Sequence, residues 1–332
     1  MDKLKFAIPK GSLEKATAEF FSKSGFKIGG TERTYRPSIN DPQIEMKVLR
    51  PQEIPVFVSE GLQDLGITGE DWVKENRADV EILQNLEYGK IKLVIAVPKS
   101  CENMTMGEFM ESIWCQGKNF RISTEYLNIA SEYLKNTPQY KKRFGDAEPI
   151  LVTPWWRKGD NPRAKIFLSF GATEAKPPED SDAIMDVTET GTTIEANNLK
   201  IIDTVMKSAA ILIANKKALE DPEKREKIYD IVALLKGVVD GSKRIHIFVN
   251  VKKENLQKLL TELPALKNPT IAPLADDTWV SVNTVIEKDC LIELLPKIRK
   301  IAQGLVVYEP RQVLALDEIA KRVEKPCKSK AK

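Results

Sequence analysis

Short apolar runs, broken by turns that carry glycine or proline and by amphipathic stretches, recur along most of this chain. That alternation is the feature that most restricts its fold. Residues 4–8 read as a buried strand, followed by the turn Pro9-Lys10-Gly11-Ser12. A helix over 13–24 comes next, with Leu13, Ala16, Phe20 and Phe21 near helical spacing. Ser12 suits its N-cap, Glu14 puts negative charge in the first turn, and Gly25 suits the stop. The pattern returns as a strand near 45–49, the turn Arg50-Pro51-Gln52 and a helix over 53–60 ended by Gly61. A short strand at 64–67 then runs into Thr68-Gly69-Glu70-Asp71, and 91–97 is a further buried strand closed by Pro98. The middle of the chain adds strands at 120–123, 150–152, 165–168, 182–187 and 208–214, with helices over 128–135 and 194–199. Strands alternating with helices imply an α/β architecture with a largely parallel sheet.

Length sets the domain count. A chain of 332 residues is about twice the usual single-domain length, so two or three domains are expected. We expect residues 1–98 with 198–240 to form one lobe and 99–197 a second, with a ligand cleft where the strands end between them. Past residue 241 the rhythm changes: strand 245–251, helix 253–263, strands 270–273 and 279–285, helix 288–301 and strand 304–308. That β-α-β-β-α-β order is ferredoxin-like and places such a domain over 241–320. Residues 321–332 lack an apolar period and are expected to be disordered.

Composition excludes several classes of function. Hydrophobic residues make up 42% and charged residues 30%, an ordinary globular balance that excludes disorder over most of the length. Lys plus Arg is 51 against 48 Asp plus Glu, which gives no electrostatic case for nucleic acid but leaves room for local basic pockets. His246 is the single histidine, so any mechanism has at most one imidazole to use. Cys101, Cys115, Cys290 and Cys327 show no C-x-x-C spacing and read as isolated reduced thiols. No apolar run approaches the roughly 20 residues of a membrane span and no secretory signal is evident, so a cytoplasmic protein is expected.

The strongest local signal for chemistry is the run 182–197, where a buried strand ends in Thr188-Glu189-Thr190-Gly191-Thr192-Thr193 and turns into a helix. Amide groups at a helix start attract phosphate, Gly191 permits close approach, and the threonine hydroxyls can donate. Thr192-x-x-Glu195 also fits a capping box, and Asp186 at the strand end suits sugar hydroxyls. A helix-capping turn that binds nothing accounts for the same pattern equally well. Glu189 opposes a phosphate unless it points outward or is offset by Lys, Arg or a metal ion. Lys10-Gly11-Ser12 and Arg50-Pro51-Gln52 with Thr68-Gly69-Glu70-Asp71 are further candidates, each also readable as an ordinary turn. Trp155-Trp156 reads more readily as packing at a core or interface than as a stacking site.

Taken together, these motifs resemble one family. DAIMDVTETGTTIEANNL resembles the phosphoribosyl-pyrophosphate loop of ATP phosphoribosyltransferases. IPKGSL, RPQEIP, DLGITGED, GATEA and ILIANKKAL resemble that family's other motifs in order, and NPTIAPLADDTWVSV resembles the regulatory domain of its long form. The resemblance implies a two-lobed, periplasmic-binding-protein-like catalytic region with a C-terminal ferredoxin-like regulatory domain. It also implies transfer of phosphoribosyl to N1 of ATP with release of pyrophosphate, the first step of histidine biosynthesis. The implied catalytic residues are Lys10, Asp186 and Glu174. Asp186, Thr188, Glu189, Thr190, Gly191, Thr192 and Thr193 would bind phosphoribosyl pyrophosphate, and Lys10, Arg50, Glu70 and Asp71 would bind ATP. Asn250, Leu266, Asn268 and Thr270 would bind histidine as feedback inhibitor. Magnesium is the implied cofactor, and a homo-oligomer is implied, a hexamer with a less active dimeric state. No nucleic-acid or membrane partner is implied. The chain departs from the family at Ser12, where arginine is usual and Lys10 or Arg36 would have to compensate. It departs again in the connector KPPEDS at 176–181, in an apparent insertion at 154–165, and at Asn250, where some members are acidic. The alternative reading is a non-catalytic small-molecule-binding or sensor protein of the same bilobal fold.

Overall fold

Two β-sheets organise the larger of two units into which the chain divides, Lys5–Ala16 with Met46–Lys217; the smaller comprises Met1–Leu4, Thr17–Glu45 and Ala218–Lys332. The computed structural model describes residues 2–30, 34–101, 103–264 and 269–316.

The first sheet has the strand order Ile44–Leu49, Leu4–Pro9, Leu65–Gly69, Ala210–Ala214, Glu81–Asn85. Leu4–Pro9 and Leu65–Gly69 run parallel, and Ala210–Ala214 is antiparallel to its neighbours on both sides. Leu65–Gly69 and Ala210–Ala214 are buried at every residue, as strands with both faces covered must be. Helix Ile54–Ser59 packs so closely on this sheet that only glycine fits at position 66: a Cβ there would stand 2.4 Å from Ile54 Cγ2 and 2.9 Å from Val58 Cγ2.

The second sheet has seven strands, in the order Arg157–Lys158, Pro149–Val152, Asn161–Leu168, Phe120–Thr124, Ala183–Thr188, Ile91–Pro98, Leu199–Ser208. Pro149–Val152, Asn161–Leu168, Phe120–Thr124 and Ala183–Thr188 run parallel, whereas Ile91–Pro98 is antiparallel to both Ala183–Thr188 and Leu199–Ser208. Phe120, Ile122, Ala164, Ile166 and Met185 face a core closed by Trp114 and Tyr140. The ring of Phe144 packs edge-on against Trp114, with centroids 4.9 Å apart.

The lobes do not divide where the apolar pattern placed them. Ile91–Pro98 lies before the expected boundary at 98, yet it is an inner strand of the second sheet. Leu199–Ser208 lies after the expected boundary at 198 and forms that sheet's edge. The expected single strand over 208–214 is therefore the end of one strand and the whole of the next, in different sheets. The expected helix over 194–199 is Thr192–Ala196, because Leu199 already starts a strand. The expected insertion at 154–165 shortens as well: Asn161–Leu168 pairs at five positions with Phe120–Thr124 and belongs to the sheet, which leaves a hairpin.

In the smaller unit, helix Pro222–Lys243 begins at Asp221, whose carboxylate accepts from the Glu223 and Lys224 amides at 3.0 and 3.1 Å. It leads into an antiparallel sheet of order Thr270–Pro273, Trp279–Glu287, Arg244–Lys252, Ala302–Tyr308. Helices Leu256–Glu262 and Cys290–Ile298 cover one face over Ile247, Val249, Val282 and Ile286. This is the ferredoxin-like order expected. Residues 321–332 lie outside the described residues. Among the described residues no helix is long and apolar enough to cross a membrane.

Because Gly66 has no room for a methyl group, Gly66→Ala is expected to cost about 1–3 kcal/mol of stability by overpacking. Urea unfolding measures this, and adding Ile54→Ala should return part of the loss. A stability equal to the parent would contradict the packing described.

Candidate active site

The ends of neighbouring strands bring two cations together. The Lys10 amide, just past Leu4–Pro9, donates to the Leu49 carbonyl at 2.8 Å, which ties the loop after one strand to the end of the next. Gly11 follows at φ +85°, and its missing Cβ would lie 3.8 Å from Arg50 Nη1. Glycine is therefore needed here for its backbone angle rather than for space. Ser12 is not an N-cap. It sits inside a tight turn, Gly11–Leu13, that precedes the helix Glu14–Ser24, and the Gly11 amide is met by the Glu14 carboxylate at 3.3 Å. The Thr68 hydroxyl donates to the Pro51 carbonyl at 2.7 Å and joins the end of Leu65–Gly69 to the Arg50 turn.

Helix Glu70–Asn76 turns its buried face to the second sheet's lobe. Asp71, 4% exposed, accepts the Tyr126 hydroxyl at 2.7 Å and the Ser208 hydroxyl, while its own amide donates to Ser208 Oγ at 3.1 Å. A Cβ on residue 69 would lie 2.2 Å from Asp71 Oδ1, so glycine is required there. Trp72 stacks on Tyr126 with ring centroids 4.4 Å apart. Burial and the Asp71 carboxylate push the Tyr126 hydroxyl far above its ordinary pKa, so it stays a donor. Glu75 accepts the Asn128 and Ile129 amides at 2.9 and 3.0 Å and so closes the start of helix Leu127–Asn136. Burial raises its pKa, and those amides oppose the rise.

Two adjoining cavities result. One of about 260 Å³ is lined by Lys10, Gly11, Ser12, Arg50, Gln52, Asp71, Trp72, Glu125, Tyr126 and Val187. The other, of about 500 Å³, is lined by Glu70, Asn85, Glu87, Lys90, Lys92, Glu189, Lys207 and Ser208, and Ile91 borders both. Lys10, Arg50 and Asp71 thus share one cavity, and Glu70 and Glu189 share the other. Glu189 lines the same cavity as Lys90, Lys92 and Lys207.

The threonine-rich loop follows strand Ala183–Thr188 directly, and Val187, beside it, lines the smaller cavity. The Thr188 hydroxyl accepts the Gly191 amide at 2.8 Å, and the Thr190 and Thr192 hydroxyls bond each other at 2.8 Å. Gly191, at φ +91°, is itself the N-cap of Thr192–Ala196, so the expected Thr192–Glu195 capping box does not form. Glu189, Thr190, Thr192 and Thr193 are exposed. Asp186 accepts the Val187 amide at 2.7 Å. Burial, with the nearby Glu174 and Glu125 carboxylates, pushes its pKa up to about 6. Among the described residues no group of three or more His, Cys, Asp and Glu side chains could hold a metal ion.

Several of these residues were not anticipated from the sequence. Tyr126 and Trp72 carried no signal, because aromatic residues near helix starts are usually core. Lys90 and Lys92 did carry one. They alternate at the head of a buried strand, and Lys92 pairs with Thr188 on one side and Lys207 on the other. Trp155 lies on the surface, 73% exposed, edge-on to Phe170. His246 is on strand Arg244–Lys252 of the smaller unit, against Phe248. In that sheet Asn250 pairs with Ser281 and Thr270 with Asn283, which puts Asn250 and Thr270 on the same open face. Leu266 and Asn268 lie outside the described residues.

Known proteins resemble this chain along most of its length. The ATP phosphoribosyltransferase family profile matches residues 50–237, and the profile of the HisG C-terminal domain matches 242–311. The ATP phosphoribosyltransferase of Solibacter usitatus is 39% identical over 317 residues, which cover 94% of this chain and 99% of that one. That of Chlorobaculum parvum is 36% identical over 94% of this chain and 97% of its own. Among solved structures, a chain of the ATP phosphoribosyl transferase (HisG:HisZ) complex from Thermotoga maritima superposes with a TM-score of 0.54 at 25% identity. The match covers 71% of this chain and 98% of that one.

The raised pKa of Asp186 has a consequence for stability. Its folded value of about 6 exceeds the ordinary 3.8, so the native state loses stability as pH rises from the lower value through the higher. Above that window the penalty is complete. Asp186→Asn removes it and is expected to stabilise the protein by about 1–3 kcal/mol near pH 8, with little effect near pH 4. Urea unfolding at the two pH values checks the sign, and equal effects at both would refute it.

Proposed function

The chain belongs to the ATP phosphoribosyltransferase family, and we propose that its cleft joins C1 of phosphoribosyl pyrophosphate to N1 of the adenine of ATP. The observation that supports this most is the position of Val187. It stands between Asp186 and the threonine loop, and it lines the same cavity as Lys10 and Arg50. A sugar phosphate seated on the loop therefore has its C1 side toward two cations.

The roles follow from charge and donor geometry. Thr188, Thr190, Thr192 and Thr193, with amides around Gly191, hold the 5′-phosphate. Asp186 accepts hydrogen bonds from the ribose hydroxyls, with Glu174 beside the same sugar. Lys10 and Arg50 face the pyrophosphate as it gains charge. As the bond from C1 to the pyrophosphate oxygen breaks, its electron pair leaves with that oxygen, and the N1 lone pair forms the new bond. N1 carries no proton to remove, so no general base is needed, and the rate depends on positioning and on stabilising separated charge. Lys90, Lys92 and Lys207 give the larger cavity a basic wall suited to the triphosphate of ATP, with Glu70 and Asp71 on the helix that borders both cavities. Magnesium belongs to this reading as part of the substrate, since it is held chiefly by phosphate oxygens and water.

The C-terminal domain is the regulatory part of the reading. Asn250 and Thr270, with Leu266 and Asn268, take histidine as feedback inhibitor, in a homo-oligomer of six chains working in the cytoplasm. Asparagine at 250 lacks the carboxylate some relatives carry, so weak inhibition by histidine is expected.

Purified protein with ATP, phosphoribosyl pyrophosphate and magnesium should produce the ultraviolet absorbance of phosphoribosyl-ATP; no product would sink the proposal. Thr190→Val with Thr193→Val removes two hydroxyl donors to a charged group. It should raise KM for phosphoribosyl pyrophosphate by roughly ten- to a hundredfold and leave KM for ATP within about twofold. Equal loss for both substrates would place the loop outside the phosphate site.

A further inference from the structure

The run Thr68-Gly69-Glu70-Asp71 marks a candidate turn in the sequence, and the reaction just described gives its threonine no task. Thr68 lies in Leu65–Gly69, a strand buried at every residue, and is itself 0% exposed. A hydroxyl in such a place costs stability unless it is bonded, and valine would fill the same space without that cost. The hydroxyl donates to the Pro51 carbonyl at 2.7 Å. Pro51 is part of the turn from which Arg50 projects, and each carbonyl from Leu49 to Gln52 is held. That of Leu49 accepts the Lys10 amide at 2.8 Å, and that of Arg50 accepts the Glu53 and Ile54 amides at 3.0 and 3.3 Å. That of Gln52 accepts from Asn76 Nδ2 at 2.9 Å, and the same amide group reaches the Trp72 carbonyl at 2.9 Å. Proline has no N–H, so the carbonyl is the one main-chain group by which position 51 can be tied.

We propose that Thr68 is a positioning residue: by holding the Pro51 carbonyl, while Asn76 holds that of Gln52, it aims the Arg50 guanidinium at the pyrophosphate. The proposal rests on the reading of Arg50 as facing that group while it gains charge. Among the described residues the Arg50 guanidinium has no hydrogen-bond or ion-pair partner, so no neighbouring side chain fixes its direction. What fixes it is the backbone of the turn, at the wall of the cavity that Arg50 shares with Lys10. Thr68 is not part of the lining of either cavity, so it acts through the turn and not on the substrate. Stabilising a leaving group by charge depends on placement, and a displacement of about 1 Å costs up to about a hundredfold in rate. The ties at Leu49 and Arg50 come from main-chain amides, whereas those at Pro51 and Gln52 come from side chains and are open to substitution.

The experiment is a double-mutant cycle on the full chain, read by calorimetry with magnesium pyrophosphate. Thr68→Val, which keeps the shape and loses the hydroxyl, should weaken pyrophosphate binding roughly three- to tenfold, and Thr68→Ser should stay within about twofold of the parent. In an Arg50→Met background the same Thr68→Val change should alter binding by less than about twofold, because the group it positions is gone. Unchanged binding in Thr68→Val protein with parental circular dichroism overturns the proposal. An equal loss with arginine or methionine at position 50 also overturns it, since a hydroxyl that only steadies the sheet gives that result. If Arg50→Met alone leaves pyrophosphate binding unchanged, the placement of Arg50 at the pyrophosphate fails and the proposal falls with it. If Arg50→Met weakens binding and Thr68→Val does not, the proposal alone fails. If Thr68→Val does not fold, Asn76→Ala, at a partly buried helix end, takes its place in the cycle and is judged by the same outcomes.

Discussion

Asp71 and Glu75 stand four residues apart on helix Glu70–Asn76, so their carboxylates share a face, and both are buried. A carboxylate taken out of water costs several kcal/mol unless its lone pairs are filled. Here they are filled mainly from the other lobe: Tyr126 and Ser208 hydroxyls on Asp71, and two amides of helix Leu127–Asn136 on Glu75. Moving the lobes apart would strand both charges together. The walls of the smaller cavity, with Lys10 and Arg50 on one side and Glu125, Tyr126 and Val187 on the other, inherit their spacing from this fastening.

That fastening leaves the rest of the cleft free to be electrostatically uncomfortable. Asp186 is held where burial and two other carboxylates disfavour its charge, and Glu189 is an exposed acid in a loop of threonines around Gly191. Neither residue serves stability. Lys90, Lys92 and Lys207 line the same cavity as Glu189, and the Val187 amide donates to Asp186. Sites that must bind charge in turn commonly carry such local conflict, balanced by a scaffold that over-determines the geometry.

Legibility in the sequence followed what each segment buries. Strands with both faces covered, such as 91–97, were visible as apolar runs, but an apolar run does not say which sheet it joins, and so the lobe boundaries came out displaced. Leu199–Ser208 is an edge strand with mixed exposure and two lysines, an aspartate and a threonine along it, which hid it from any periodicity. The threonine loop and the Lys10 and Arg50 turns stood out as candidates because glycine and hydroxyl residues cluster there at strand ends, although ordinary capping turns carry the same residues. Asp71 was readable as polar and near the site, but its partners were not, since Tyr126 lies 55 residues away and Ser208 lies 137 away. The capping box at Thr192 failed for a local reason: with Gly191 in the left-handed region, the helix start moves back one residue and the threonine hydroxyls turn to each other.

The single histidine now has a physical meaning. A reaction that moved protons near neutral pH would want an imidazole in the cleft, and His246 lies in the C-terminal sheet. What lines the cleft instead is ammonium, guanidinium, hydroxyl and carboxylate, groups that mostly keep one charge state near neutral pH. Asp186, next to Val187 of that lining, has its pKa pushed up to about 6 by burial and two nearby carboxylates. A bond exchange at C1 that makes and breaks charge without transferring a proton needs fixed fields and fixed distances. Keeping Asp186 in its charged form is then a requirement of the same kind as keeping the lobes at their spacing. Both are met by hydrogen bonds donated to buried carboxylates.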